Sequence, residues 1–124
     1  MTDSAMHDLA DRLFRALEAN DTDAVAACCS PDAEFFKNGT RSGSLADMLP
    51  GFASLRSRVG DHRYTDVRRE VFAGGFVEEH RVISTLPDGS PLDVVACVIG
   101  RTDDAGRIVE LTEYVDTAST RGRS

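Results

Sequence analysis

The sequence predicts an α+β domain, helices first and a curved antiparallel sheet after them, on three observations. Through the first half, apolar residues recur every three or four positions. From Tyr64 onward they alternate, and Gly74-Gly75, Pro87-Asp88-Gly89 and Asp103 to Gly106 punctuate the alternation as turns. No linker, repeat or low-complexity stretch divides the 124 residues, so 1–124 reads as a single domain.

Met6, Leu9, Leu13, Ala16 and Leu17 form the apolar stripe of a first helix, with Thr2, Asp3 or Ser4 as its cap and Asn20 closing it. A second, short helix runs from Asp23 to Cys29. Thr22 caps it, and Ser30-Pro31 stops it, because the residue before a proline resists the helical region. The string "AEFFK" then reads as a strand. Pro50 inside a helix would cost about 3 kcal/mol. The stretch "SGSLADMLPGFASLRSRVG" is therefore expected to split into one turn over 45–49 and a new helix with Pro50 at its first position. Four strands follow, at about 64–73, 76–86, 92–101 and 107–116. The third contains "VVACVI", apolar on both faces, whereas a sheet covered on one side should alternate. The helices cover one side of a four- or five-stranded sheet. The other, with Val95, Cys97 and Ile99, is expected to meet a second copy of the chain, giving a homodimer through the outer sheet face.

Composition narrows the function. A hydrophobic content of 41% closes one core, and a formal charge of −7 argues against nucleic acid or an anionic membrane, which basic surfaces hold. A small neutral or cationic ligand is easier to accommodate. No apolar run approaches the roughly 20 residues needed to span a bilayer, and "MTDSAMHDLA" lacks a basic segment followed by an apolar one, so the chain reads as cytoplasmic and free of membrane. Cys28, Cys29 and Cys97 are odd in number and lack metal-knuckle spacing, while His7, His62 and His80 are scattered. Nucleotide-binding glycine motifs are absent. Neither a metal nor a cofactor is expected.

Three strings in order, "ALEANDTDAVAACCSPDAEFF", "TLPDGSPLDVV" and "DDAGRIVELTEYVD", resemble the nuclear transport factor 2-like superfamily, and within it the SnoaL-like and limonene epoxide hydrolase-like group. The resemblance spans roughly residues 7 to 118. It implies a cone-shaped α+β roll of the cystatin-like kind, with a pocket inside the wide end, but no single activity. Its register implies that Val77, Glu79, Arg81 and Ile83 face inward, leaving Glu78 and His80 outside as surface or interface residues. It also implies that Phe35, Lys37, Val109, Leu111, Glu113 and Val115 face inward, with Val94, Ala96 and Val98 as an apolar wall.

The carboxylates and oxyanion donor of a ketosteroid isomerase are missing at the matching positions near Lys37, Leu13 and Val98. A limonene epoxide hydrolase is closer, because its acid, arginine and second acid match Glu79, Arg81 and Glu113 in type, though permuted. Its tyrosine and asparagine would fall at Phe35 and Lys37. Two carboxylates and a guanidinium support cofactor-free acid/base chemistry, in which one acid removes a proton and the other donates to the oxygen gaining charge. Glu113 is the expected base, Glu79 the acid, Arg81 their clamp and Lys37 an anchoring cation. Leu13, Phe35, Ile83, Val94, Ala96, Val98 and Leu111 are the expected substrate-binding wall. The expected function is thus an epoxide hydrolase-like or cyclase/isomerase-like enzyme for a small hydrophobic oxygenated metabolite. The alternative is a non-catalytic ligand-binding or dimerising module, in which Lys37, Glu79, Arg81 and Glu113 form a charge-balanced structural network.

Overall fold

The protein was analysed as a computed structural model, which describes residues 1–116. The expected core ran to 118, and its last two residues lie outside the described ones. In chain order the elements are α1 (Asp3–Glu18), α2 (Thr22–Ala27), β1 (Cys29–Lys37), β2 (Thr40–Ser44), α3 (Leu45–Ala53), α4 (Leu55–Val59), β3 (Arg63–Phe72), β4 (Gly75–Thr85), β5 (Pro91–Thr102) and β6 (Ile108–Val115). The strands form one curved, open sheet in the order β2-β1-β6-β5-β4-β3, with helices packed against one face. It is mixed rather than purely antiparallel: β1 runs parallel to β6, with Phe35 opposite Leu111 and Lys37 opposite Glu113. Asn38 locks that pairing, since its side chain donates to the Val115 carbonyl and accepts from the Val115 N–H.

Helix α1 begins where Thr2 accepts a hydrogen bond from the Ala5 N–H at 3.0 Å. Its stripe, including Leu9, Leu13, Phe14 and Leu17, is buried against Phe35, Phe76, Val98 and Ile108 in the core, and each large side chain contributes about 1.5–3 kcal/mol by leaving water. Beyond its end Asn20 takes the left-handed conformation, φ 57°. The Asn20 amide donates to the Ala53 carbonyl and accepts from the Arg56 N–H, tying α1 to the junction of α3 and α4.

Helix α2 starts one residue earlier than expected, because Asp21 and not Thr22 supplies the cap. It ends at Ala27, and β1 takes Cys29 onward. Helix α3 runs unbroken through Pro50, against the expected split. Proline removes one ladder bond there, but a reciprocal capping box between Ser44 and Asp47 fixes the start. Packing of Phe52 on Phe35, rings 5.8 Å apart, holds the far end.

The register of β4 is opposite to the expected one. Phe76, Glu78 and His80 are buried, at 0%, 1% and 1% exposure, while Glu79 and Arg81 lie on the outer face. Cross-strand partners show why. Thr85 pairs with Pro91, which sets Val82 opposite Val94, His80 opposite Ala96 and Glu78 opposite Val98. Directly opposed residues share a face, so Val94, Ala96 and Val98 inside the cone require the even-numbered residues of β4 inside too.

On β3 a bulge between Thr65 and Arg68, with Asp66 at φ 53°, shifts the phase so that Tyr64 and Arg69 both face inward. Arg69 reaches three residues on two elements, β4 and α1: Nε donates to Glu78 at 2.7 Å, Nη2 to Asp11 at 2.8 Å, and Nη1 to the His7 carbonyl at 3.2 Å. Burial works against the arginine's charge, but the hydrogen bonds to Asp11 and Glu78 outweigh it and raise its pKa. Replacing Arg69 by methionine leaves Glu78 buried without its cation and should cost about 3–5 kcal/mol in urea unfolding. Arg68→Met, on the exposed outer pair with Glu79, should cost under about 1 kcal/mol.

Candidate functional site

A cavity of about 390 Å³ opens between the helices and the concave face of the sheet, within the range of small-ligand sites. Leu13, Phe14 and Leu17 line it from α1, Met48 and Phe52 from α3, Leu55 and Val59 from α4, and Val94, Val98 and Leu111 from the sheet. Against this apolar wall stand a few polar side chains: Lys37, Ser42, Arg58, His62, Tyr64, His80 and Glu113.

His80 occupies the most elaborated position. Its Nδ1 lies 2.6 Å from Glu78 Oε2, and both side chains are almost fully buried. Oε1 of the same carboxylate accepts from Arg69. A carboxylate already bound to a guanidinium accepts only, so the shared hydrogen sits on Nδ1, and in the neutral ring the lone pair is then on Nε2. Nε2 is buried and has no hydrogen-bond partner among the described residues. Phe14 and Tyr64 hold the ring edge-on and tilted, at centroid distances of 5.0 and 4.5 Å. The formal charges of Asp11, Arg69 and Glu78 sum to one negative.

Tyr64 lies beside His80, and its hydroxyl is 3.1 Å from Nε2 of His62. Burial, reinforced by the charges of Glu113, Glu18 and Glu78, pushes the phenol well above its usual range, so it remains a hydroxyl donor. His62 forms part of the wall between the cavity and a shallow polar groove with Arg15, Glu18, Arg56, Asp61 and Arg63. Burial lowers the His62 pKa, assisted by Arg56 and His80 and opposed by Glu18 and Asp61. Burial also raises the thiol of Cys28 and pushes that of Cys29 up to about 12, leaving both as packing groups. Among the described residues, no three His, Cys, Asp or Glu side chains are grouped to hold a metal ion, and no helix is long and apolar enough to cross a membrane.

Of the residues expected from sequence, Leu13, Phe35, Lys37, Val94, Val98, Leu111 and Glu113 line the cavity. Ala96 is buried behind them at 1% exposure. The expected trio of Glu79, Arg81 and Glu113 is not assembled. Glu79 faces Arg68 at 3.6 Å, and Arg81 pairs with Asp93 at 2.9 Å and Asp66 at 3.5 Å, all on the outer face. Ile83 lies on that face too, outside the lining. Glu78, His80, Tyr64 and Arg69 replace them inside. The signal that finds them is hairpin pairing across Pro87-Asp88-Gly89, which couples the phase of β4 to that of β5.

Residues 10–111 match the model of the SnoaL-like domain family. The chain belongs to the SnoaL-like domain family, within the nuclear transport factor 2-like superfamily. This SnoaL-like protein is similar in fold to several solved structures. One is a candidate SnoaL-like polyketide cyclase from Jannaschia sp. CCS1: TM-score 0.82, 16% identity, covering 96% of this chain and 90% of that one. A candidate polyketide cyclase from Xanthomonas campestris pv. campestris gives TM-score 0.84 and 16% identity, with 94% of each chain covered. IdmH, a candidate polyketide cyclase from Streptomyces antibioticus, gives TM-score 0.80 and 18% identity, covering 94% and 95%. At these identities the likeness is one of fold. No curated protein sequence matches the SnoaL-like chain significantly.

A depressed imidazole pKa makes the folded state prefer neutral His62, so its contribution is full above the unfolded value of about 6.5. That contribution is lost as pH falls through the lower folded value. Urea midpoints should therefore fall more steeply below pH of about 6.5 in the wild type than in His62→Gln. Parallel curves for the two proteins would contradict the assignment.

Proposed function

We propose that this SnoaL-like protein is a cofactor-free acid/base enzyme of the cyclase/isomerase kind, acting on a small, largely apolar carbonyl compound. One observation carries the reading: the imidazole of His80 borders an apolar cavity with Nδ1 fixed to buried Glu78 and Nε2 unpartnered. A base held by a carboxylate, beside a hydroxyl donor and away from bulk water, suits proton abstraction next to a carbonyl. Nε2 takes the proton from carbon, and the C–H electron pair moves toward the carbonyl oxygen, which receives a hydrogen bond from Tyr64. The resulting enolate carbon attacks a second carbonyl carbon of the same molecule. The oxygen of that second carbonyl recovers the proton from Nε2, so a ring closes without consuming water. Glu113, also lining the cavity, serves as a second acid/base group. The cyclase descriptions of structural neighbours agree with this chemistry. A hydrolase of the limonene epoxide type has less support, since its acid–arginine–acid set has no counterpart in the cavity.

The probe for this reading is β-tetralone, whose carbons next to the carbonyl take up deuterium in deuterium oxide. Wild-type protein should accelerate that uptake, and His80→Gln should lower the acceleration by about 10²–10⁴-fold. Glu113→Gln should reduce it less. Binding of β-tetralone without accelerated exchange would instead support a ligand-binding module. Exchange undiminished in His80→Gln would remove His80 as the base.

We also propose that two copies associate through the outer sheet face. Val95 and Tyr114 stand on it at 47% and 48% exposure, uncovered by any described helix, and such apolar surface favours a self-complementary contact. Light scattering should give twice the chain mass for wild type and the chain mass for Val95→Glu. A wild-type monomer at micromolar concentration would contradict the dimer.

A further inference from the structure

The residues lining the cavity are buried or half-buried except for three: Lys37, Ser42 and Arg58. These mark its mouth, and two of them are cations. Lys37 is the only lysine in a chain with a formal charge of −7. On the rest of the surface Arg41, Arg56, Arg81, Arg101 and Arg107 stand against acids, and Arg12, Arg15 and Arg63, which do not among the described residues, lie outside the cavity lining. Lys37 and Arg58 have no such ion pair among the described residues, although acids outnumber bases by 21 to 14 in the sequence.

Arg58 is held in place without being neutralised. Its Nη2 donates to the Gly51 carbonyl at 2.7 Å and its Nε to Ser54 Oγ at 3.3 Å. Both partners are uncharged, so the guanidinium is oriented against α3 with its charge and remaining N–H groups uncommitted. Lys37 sits opposite Glu113 in the strand pairing, so one cation at the mouth is offset by one acid inside the cavity. One positive charge is left over at the open end of an otherwise apolar hollow.

We infer that the natural ligand is an amphipathic monoanion, an apolar ring or chain body ending in a carboxylate or similar acid group bound by Lys37 and Arg58. This rests on the cavity being the ligand site and refines the proposed substrate to a keto acid, but it does not depend on His80 acting as a base. The body lies against Phe14, Phe52 and Val98, and the acid group stays near the mouth, where water and the two cations share its solvation. Guanidinium and ammonium groups recognise a carboxylate through charge-assisted hydrogen bonds.

Two fluorescent dyes with the same ring body separate the charge from the apolar contact. Anilinonaphthalene sulfonate carries one negative charge, and N-phenylnaphthylamine carries none. The sulfonate should bind the wild type about tenfold more tightly and displace the neutral dye. In the Lys37→Gln, Arg58→Gln double variant that preference should vanish while the neutral dye loses less than about twofold in affinity. Both side chains are exposed, so the double variant should melt with the wild type. Equal affinity of the two dyes for the wild type, or a preference surviving in the double variant, would overturn the inference. His80→Gln separates the two proposals: it should leave the dye preference intact even where it abolishes deuterium exchange.

Discussion

The fold is organised around one buried carboxylate. Glu78 lies on β4, beside the edge strand β3, with both oxygens engaged, one by Arg69 and one by His80. An ionised group at that depth is tolerated only with its partners in place, and those partners come from β3 and β4, with α1 behind them through Asp11 and His7. The cluster therefore fixes the phase of β4, the bulge that turns Arg69 inward and the seating of α1. The same contacts leave one atom of the cluster, Nε2 of His80, without a hydrogen-bond partner among the described residues. A buried polar atom without a partner is uncommon and sets this cluster apart from a fully satisfied network.

The cavity follows from the same arrangement. With α1 anchored near its start by Arg69 and beyond its end by Asn20, α3 and α4 are held over the wide end of the curved sheet. Phe52 and Leu55 then form a roof, while β1, β5 and β6 form the floor. Polar groups enter this hollow in two places. His80, Tyr64 and His62 form a connected set inside. Lys37 and Arg58 stand at the mouth. An apolar body between them would touch the His80 imidazole at one end and the Lys37 and Arg58 cations at the other, which is why chemistry and ligand charge are separable questions here.

Element types were largely legible in the sequence, because long amphipathic patterns and turn dipeptides are local signals. The stripe from Met6 to Leu17 and the turns at Gly74 and Gly89 come from such patterns, while the inward phase of β5 and β6 was implied by the family resemblance. Failures arose where distant partners decide. Pro50 stays inside α3 because a capping box and the Phe35 contact outweigh a lost ladder bond. The parallel pairing of β1 with β6 is held by Asn38 on Val115, 77 residues further along the chain, and so leaves no short-range trace. The β4 string "FVEEHRVIS" carries apolar and charged residues on both faces, so periodicity alone cannot orient it. The inward sets that the resemblance implies for β4 and for β5 are two phases that one regular hairpin cannot satisfy together. Once Thr85 is placed opposite Pro91, Val94 and Val98 carry Glu78 and His80 inside with them. Glu113, on a strand whose borrowed phase holds, was found; Tyr64, on a strand whose phase a bulge shifts, was not.

The central claim is that His80 is a carboxylate-bound imidazole with a free Nε2 facing the interior, and nitrogen NMR of histidine-labelled protein tests it most directly. The account predicts a single tautomer for neutral His80, with the hydrogen on Nδ1 exchanging slowly with water and Nε2 unprotonated. A hydrogen on Nε2, or the rapid tautomer averaging of a solvent-exposed ring, would contradict it.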